Sequence, residues 1–338
     1  MLFSACSKDN IPPNNTKPGS ELESGWLVPV DKLVLSQLPP DRIHSIDAPH
    51  FEPLAPDNLR PDESVYIYRY GSTVKVYPQS VMGVHEIVND HIGDHYFAVT
   101  FCPLTGSALA WNREINGTIS EFGVSGHLFN ENLIPYDRND TSFWSQMRLQ
   151  GIKGSHGGQD LESNTLVLTT GQTIMISFPN ALVLVDTSGN NCDSICGDFK
   201  QGRDLGDPDE GTIELPGGDF FGVVNGEAAL LFNYDVFEEP IKVYHTNFRN
   251  SKIIIAGSEA QQFIVAFRDN LGDPNIKFSA VQNALPAIFK DSKGNHYDMT
   301  GLVISGPSMG NRLPSPVAYV AHSFAWELFF NNLEIFVE

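Results

Sequence analysis

Apolar and polar residues alternate in short runs along most of the chain, and glycine, asparagine or proline bounds the runs. A period of two over four to eight residues gives a pleated strand one apolar face. Tyr66-Ile-Tyr-Arg-Tyr70 and Thr73-Val-Lys-Val-Tyr77, separated by Gly71-Ser72, predict a hairpin with a glycine turn. Tyr96–Phe101 and Ser107–Trp111 predict two strands flanking Cys102-Pro-Leu-Thr-Gly106. Asn116-Gly117 marks a further turn into a strand at Thr118–Phe122, and Leu166–Thr170 predicts another. Helical spacing is weak over Gln172–Pro179 and clearer over Ala321–Phe330. The expected fold class is mainly β with short helices, an α+β chain.

The pattern repeats within the chain. At an offset of 155 residues Gly71 falls on Gly226, the hairpin residues Val74, Val76 and Tyr77 fall on Ala229, Leu231 and Phe232, and Arg113 falls on Arg268. At an offset of 152, Gly154-Ser-His-Gly-Gly158-Gln-Asp-Leu161 falls on Gly306-Pro-Ser-Met-Gly310-Asn-Arg-Leu313, and Phe178–Leu184 falls on Phe330–Phe336. One small deletion accounts for the drift. Such a period predicts two tandem pseudo-symmetric β-rich repeats packed about a pseudo-twofold axis. Residues 24–185 form the first and 220–338 the second, with an acidic linker at 186–219 and a flexible tether at 1–23.

Charge and the first residues change the picture next. The chain has 41 acidic against 21 basic side chains, a formal charge of −20, which excludes nucleic acid as a partner because phosphate binding needs clustered Lys and Arg. No run reaches the roughly 18–20 apolar residues of a spanning helix. Leu2-Phe-Ser-Ala5 before Cys6 resembles the tail of a bacterial lipoprotein signal, although its basic and apolar front is missing, as in a late start or a truncation. Ser7–Glu23, polar and rich in proline, suits a tether behind a lipidated Cys6. The expectation is a protein of the bacterial cell envelope (outer membrane, surface or periplasm) whose membrane partner is reached through a lipid anchor. There thiols oxidise. Cys192-Asp-Ser-Ile-Cys196 then reads as a short-loop disulfide, with free thiols or a metal pair as the alternatives.

The first half holds a chemical cluster that the second lacks: His85-Glu-Ile-Val-Asn-Asp90, Cys102-Pro-Leu-Thr105, Tyr136-Asp-Arg138 and Trp144-Ser-Gln146. By the same offset, Gly257 stands for Cys102 and Pro240 for His85. A cysteine at a strand end before a turn can have its thiolate stabilised by turn N–H groups, with Thr105 adding a hydrogen bond. His85 can act as base or metal ligand, oriented by Glu86 or Asp137. Each has a plainer alternative, a buried inert thiol and a structural histidine. Trp144 reads as core or pocket wall, and Asn89, Asp90, Tyr136, Asp137, Arg138 and Gln146 as a buried polar network. His91 and His95, flanking a Gly-Asp turn, read as solvent-facing.

These motifs resemble the hallmark run of the DUF3179 proteins, and Gly310-Asn-Arg-Leu with His322-Ser-Phe-Ala-Trp326 resembles that family's closing segment. The resemblance covers roughly residues 40 to 336. It implies thiol or selenol chemistry at a Cys-Pro-Leu-Cys core, but Thr105 stands here in place of the second cysteine, so a two-cysteine cycle within the motif is impossible. Three readings follow. One is a thiol- or metal-dependent site (copper or zinc) at Cys102 and His85, with a small-molecule or redox partner. The others are a non-catalytic ligand-binding module with its pocket between the halves, and a structural envelope protein. Walker A, GxGxxG, HExxH and GxSxG signatures are absent from the sequence.

Overall fold

The computed structural model describes residues 25–188 and 215–338, apart from 38, 238, 239, 270, 271, 273 and 274. Cys6, Cys192, Cys196, the tether and most of the acidic linker lie outside the described residues. The first hairpin pairs Ser64–Tyr70 with Thr73–Pro78 in antiparallel register, Tyr70 opposite Thr73. Gly71 sits at φ +58 as the first of the two turn residues, a left-handed backbone that glycine adopts without a Cβ clash. Strand Leu166–Thr170 joins the hairpin antiparallel, the helix Gly171–Ser177 follows, and Leu182–Val185 returns parallel to Thr73–Pro78.

The second half repeats this connectivity. Asp219–Asn225 pairs antiparallel with Ala228–Asn233, Val317–His322 adds antiparallel, and after the helix Ser323–Phe329 the strand Asn332–Ile335 adds parallel. Each half also has a three-stranded meander. Ile87–Ile92, His95–Cys102 and Ser107–Asn112 form one; Lys242–Phe248, Ser251–Ser258 and Phe263–Arg268 form the other.

Alternation of side chains gives every one of these sheets two apolar faces, and the faces interlock across the halves. Tyr66, Tyr68 and Tyr77 of the first hairpin pack on Val88, Phe97 and Val99 of its own meander. The opposite hairpin face, Val65, Ile67, Val74 and Val76, packs on Ile254, Ala256 and Val265 of the other meander. Phe220, Ala229 and Leu231 of the second hairpin pack in turn on Ile87, Ala98, Cys102, Leu109 and Trp111, and its other face on Ile253, Ile255 and Ile264. Four sheets therefore close a ring, and neither hairpin can bury both faces without the partner half. On the axis between the halves, Ala108–Ala110 face Ile264–Ala266 across a cleft of about 20 Å³, room for about one water.

Several local expectations are corrected. The helix predicted over Ala321–Phe330 begins at Ser323, because Ala321 and His322 are claimed by pairing with Phe220 and Asp219. The strand predicted over Thr118–Phe122 splits: Thr118–Ile119 pairs with Glu114–Ile115, Ser120 turns its hydroxyl onto Asp137 (2.6 Å), and Phe122 opens the strand Phe122–Phe129. The helix Gln79–His85 has only Met82 and His85 buried, too short a stripe to show a period. In the meander the offset between halves is 156, so Asn112 rather than Arg113 matches Arg268, and the counterpart of Cys102 is Ser258, not Gly257.

Candidate functional site

Cys102 ends its strand opposite Ser107, and Pro103–Gly106 make the turn between them. Gly106 stands at φ +63, and a Cβ there would lie 2.6 Å from Cε1 of His322. Two demands, the left-handed backbone and the ring pressed against it, make glycine necessary at this position. The His322 N–H donates to the Thr105 carbonyl (2.8 Å), and the His322 ring is held by Asp219 (Nδ1 to Oδ1, 2.5 Å). The end of a second-half strand therefore clamps the cysteine turn of the first.

The thiol is buried, 2% exposed, and points toward the carbonyl of Glu131 at 3.8 Å. Burial pushes its pKa up and the charge of Glu86 pushes it further, while the Thr105 hydroxyl, the Thr105 N–H and the Leu133 N–H pull against both without cancelling them. The second half builds the same turn differently. There the N–H of Gln261 donates to Oγ of Ser258 (3.4 Å), and Gln262 takes the left-handed position at φ +48.

A polar cluster supports the turn from below. Ser107 donates to Oε1 of Gln146 (2.8 Å); Nδ2 of Asn132 reaches Oε1 of Gln146 (2.7 Å), Oγ1 of Thr105 (2.9 Å) and Oγ of Ser107 (3.0 Å). Nε2 of Gln146 donates to Oγ1 of Thr100 (2.9 Å) and the Ser107 carbonyl (3.2 Å). With the Ser107 proton spent on Gln146, the hydroxyl proton of Thr105 is the one left to share between Ser107 and the sulfur.

Glu86 follows the helix Gln79–His85 at φ +59, an uncommon backbone for a non-glycine residue. Its N–H donates to the Met82 carbonyl (2.8 Å) and its carbonyl accepts from Phe101 (2.7 Å), so strand pairing resumes directly after the helix. The residue is half-buried, yet its carboxyl lies deep enough among protein atoms for desolvation to push it up to about 8.

His85 does not join Cys102. Its Nδ1 faces the His44 carbonyl (2.7 Å) and its Nε2 faces Asp186 (3.3 Å), so both nitrogens are engaged elsewhere, and the acid beside it is Asp186 rather than Glu86 or Asp137. Burial pushes Asp186 up, but hydrogen bonds from Ser188, the next influence, and His85 bring it below the usual carboxylate range. A copper or zinc shared by His85 and Cys102 does not fit these residues. Among the described residues the group of three whose ligand atoms converge, within 4.8 Å, is Asp137, Asp140 and His156. Its carboxylates are answered without an ion. Asp137 accepts from Ser120 and from the Asn139 N–H (2.8 Å); Asp140 accepts from Ser142 and Ser155 and pairs with His156 (3.2 Å).

Of the remaining motif residues, Asn89, Tyr136 and Arg138 share one network through Asp47 and Asp41, whereas Asp90, Asp137 and Gln146 have other side-chain partners. Asp90 is held by Lys75 (2.7 Å) and Tyr77 (2.6 Å). Asn89 bonds Asp47 (2.6 Å) and the Phe122 carbonyl (2.8 Å). Arg138 reaches Asp41 (2.9 Å), Asp47 (3.0 Å) and Ser45 (2.8 Å), and Tyr136 also donates to Asp41, which ties down the segment before the first hairpin. Trp144 is fully buried core stacked on His156. His91 is exposed, but His95 is partly covered, bonded to the Tyr68 hydroxyl (2.6 Å).

Sequence reading missed Asn132, Asp41, Asp47 and Asp186, and the Asp219–His322 clamp. Each reaches its partner from tens of residues away, and none lies in a recognisable spacing. No curated protein and no solved structure matches the chain. The family model described as "Protein of unknown function (DUF3179)" matches residues 40–333, and with these motifs in that order the chain belongs to the DUF3179 family.

Proposed function

We propose that the protein is a cell-envelope monothiol redox protein, lipid-anchored at Cys6, whose working group is Cys102. The observation that supports this is a cysteine at the end of its strand, before the Pro103–Gly106 turn, where hydrogen bonding from Thr105 and Leu133 lowers a thiol proton affinity that burial raises. At rest both the thiol and Glu86 are neutral, as burial demands. While Glu86 is neutral, below about 8, its charge does not oppose ionisation of the thiol, which gives its proton to water and leaves a thiolate whose proton affinity Thr105 and Leu133 lower. The thiolate then displaces one thiolate from a small disulfide, forming a mixed disulfide, and the departing thiolate takes up a proton from water. Because Thr105 offers no second sulfur, an external thiol completes the exchange.

A second reading has its own support: a sulfur 2% exposed in the same apolar cluster as Trp111 and Trp144 suits a purely structural residue. One experiment separates them. In a chain with Cys6, Cys192 and Cys196 changed to Ser, the rate of modification by methyl methanethiosulfonate is followed against pH. Thr105→Val removes one donor to a charged sulfur, about 1.5–3 kcal/mol, so the modification rate near neutral pH should fall about 10- to 100-fold. Equal rates in both chains, or modification only as fast as global unfolding, would leave the structural reading.

A further inference from the structure

Away from Cys102, the turn of the first hairpin meets the Gly310–Arg312 loop of the second half across an open groove of about 530 Å³, lined by Arg69, Tyr70, Gly71, Ser72, Leu302 and Arg312. That volume is in the range of small-molecule sites. Two guanidinium groups meet here in a chain of charge −20. Arg69 donates through Nη1 to Asp298 (2.5 Å) and through Nε to the Gly71 carbonyl (3.2 Å). Arg312 donates to the Arg69 carbonyl (3.5 Å), and among the described residues no carboxylate lies within ion-pair distance of it.

Asp298 cannot serve both cations. Its other oxygen is taken by the Thr300 N–H (2.8 Å), the Thr300 hydroxyl (2.7 Å) and the Leu302 N–H (3.2 Å). Desolvation and then the neighbouring Arg69 charge lower the proton affinity of Arg312 against the opposing charge of Asp298, as one carboxylate shared by two cations requires. The fold does not ask for this arrangement. At the equivalent positions of the other copy stand Val224 for Arg69 and Asp160 for Arg312, and the same strand and loop form without them. Tyr70, 48% exposed, gives the groove a flat wall and is kept in place by stacking on His95 (centroids 4.1 Å, planes 7° apart).

We infer that this groove binds the oxyanion group of a small organic phosphate or carboxylate, with Arg312 as the principal ligand and Arg69 assisting. A bound anion supplies the second negative charge that the two guanidiniums lack, and Arg presents paired donors to either oxyanion. Calorimetric titration of the full chain at low ionic strength with inorganic phosphate, and separately with succinate, tests it. One equivalent of at least one probe should bind, and the tighter probe names the ligand class. Arg312→Gln should weaken binding at least tenfold, about 1.4 kcal/mol. Arg312→Asp, the residue the other copy carries as Asp160, should abolish it while leaving thermal stability unchanged. Equal affinity in the native chain and Arg312→Asp, or no binding of either probe at about 10 mM, a free energy near 3 kcal/mol, would overturn the assignment.

Discussion

Glu86→Gln is the most informative single change, because it removes a charge while keeping the side-chain shape. In the folded chain the Glu86 carboxyl is pushed from its ordinary 4.5 to about 8 by burial. The folded state therefore holds this proton more tightly than the unfolded state does. Stability from this group is complete below about 4.5, falls as pH rises toward 8, and is level above. A shift from 4.5 to about 8 corresponds at most to about 5 kcal/mol, at 1.36 kcal/mol per unit. Glu86 is only half-buried, so water screens part of that cost, and about 2 kcal/mol is the magnitude to expect. Urea midpoints of both chains, measured from pH 5 to 9 with the slope checked for constancy, isolate the group, since all other titrations cancel in the difference. The two chains should be nearly equal at pH 5, and the glutamine variant about 2 kcal/mol more stable by pH 9. The same variant should move the pH profile of Cys102 modification downward, because the Glu86 charge is what raises the thiol beyond the effect of burial. A stability difference that stays flat across that range would refute the desolvation of the Glu86 carboxyl.

Three other outcomes follow from the same geometry. Gly106→Ala forces a Cβ onto the His322 ring at 2.6 Å and strains a φ of +63, so a loss of about 2–4 kcal/mol is expected by denaturant melting, larger than for Gly71→Ala, whose added Cβ meets open space. Asp90→Ala leaves Lys75 and the Tyr77 hydroxyl without their acceptor in the core and should cost about 3–5 kcal/mol, whereas Lys75→Met with Asp90→Leu should restore much of that stability. Cys6→Ser should abolish incorporation of labelled fatty acid in the bacterial host; incorporation that persists in the variant would remove the anchor from the proposal.

Much of the fold was legible in local pattern. The hairpin strands around Gly71, the strand Leu166–Thr170 and the mostly β character are read from alternation and turn residues, which act over a few positions. The offset of 155 falls on the hairpin strand starts themselves, Ser64 with Asp219 and Thr73 with Ala228. What alternation missed were elements whose ends are set by partners, such as Ala321 and His322, drawn into a strand by Asp219 and Phe220. The site was legible in part: Thr105 lies in the turn after Cys102, its hydroxyl bonded to Ser107 and Asn132, whereas His85, expected beside Cys102, is turned to His44 and Asp186.

By itself the sequence determined the strand-rich composition, the duplication, the glycine turns and the family, because those depend on periodicity and on residue order. Only the tertiary structure decided that each hairpin is sandwiched between its own meander and the other half's, that the turn after Cys102 is clamped by a second-half histidine, and that two arginines 243 positions apart share one groove. The physical reason is reach. Backbone preference and side-chain alternation act between near neighbours, whereas burial, pKa and ion pairing depend on which surfaces close over a group, and here every closing surface comes from a distant part of the chain.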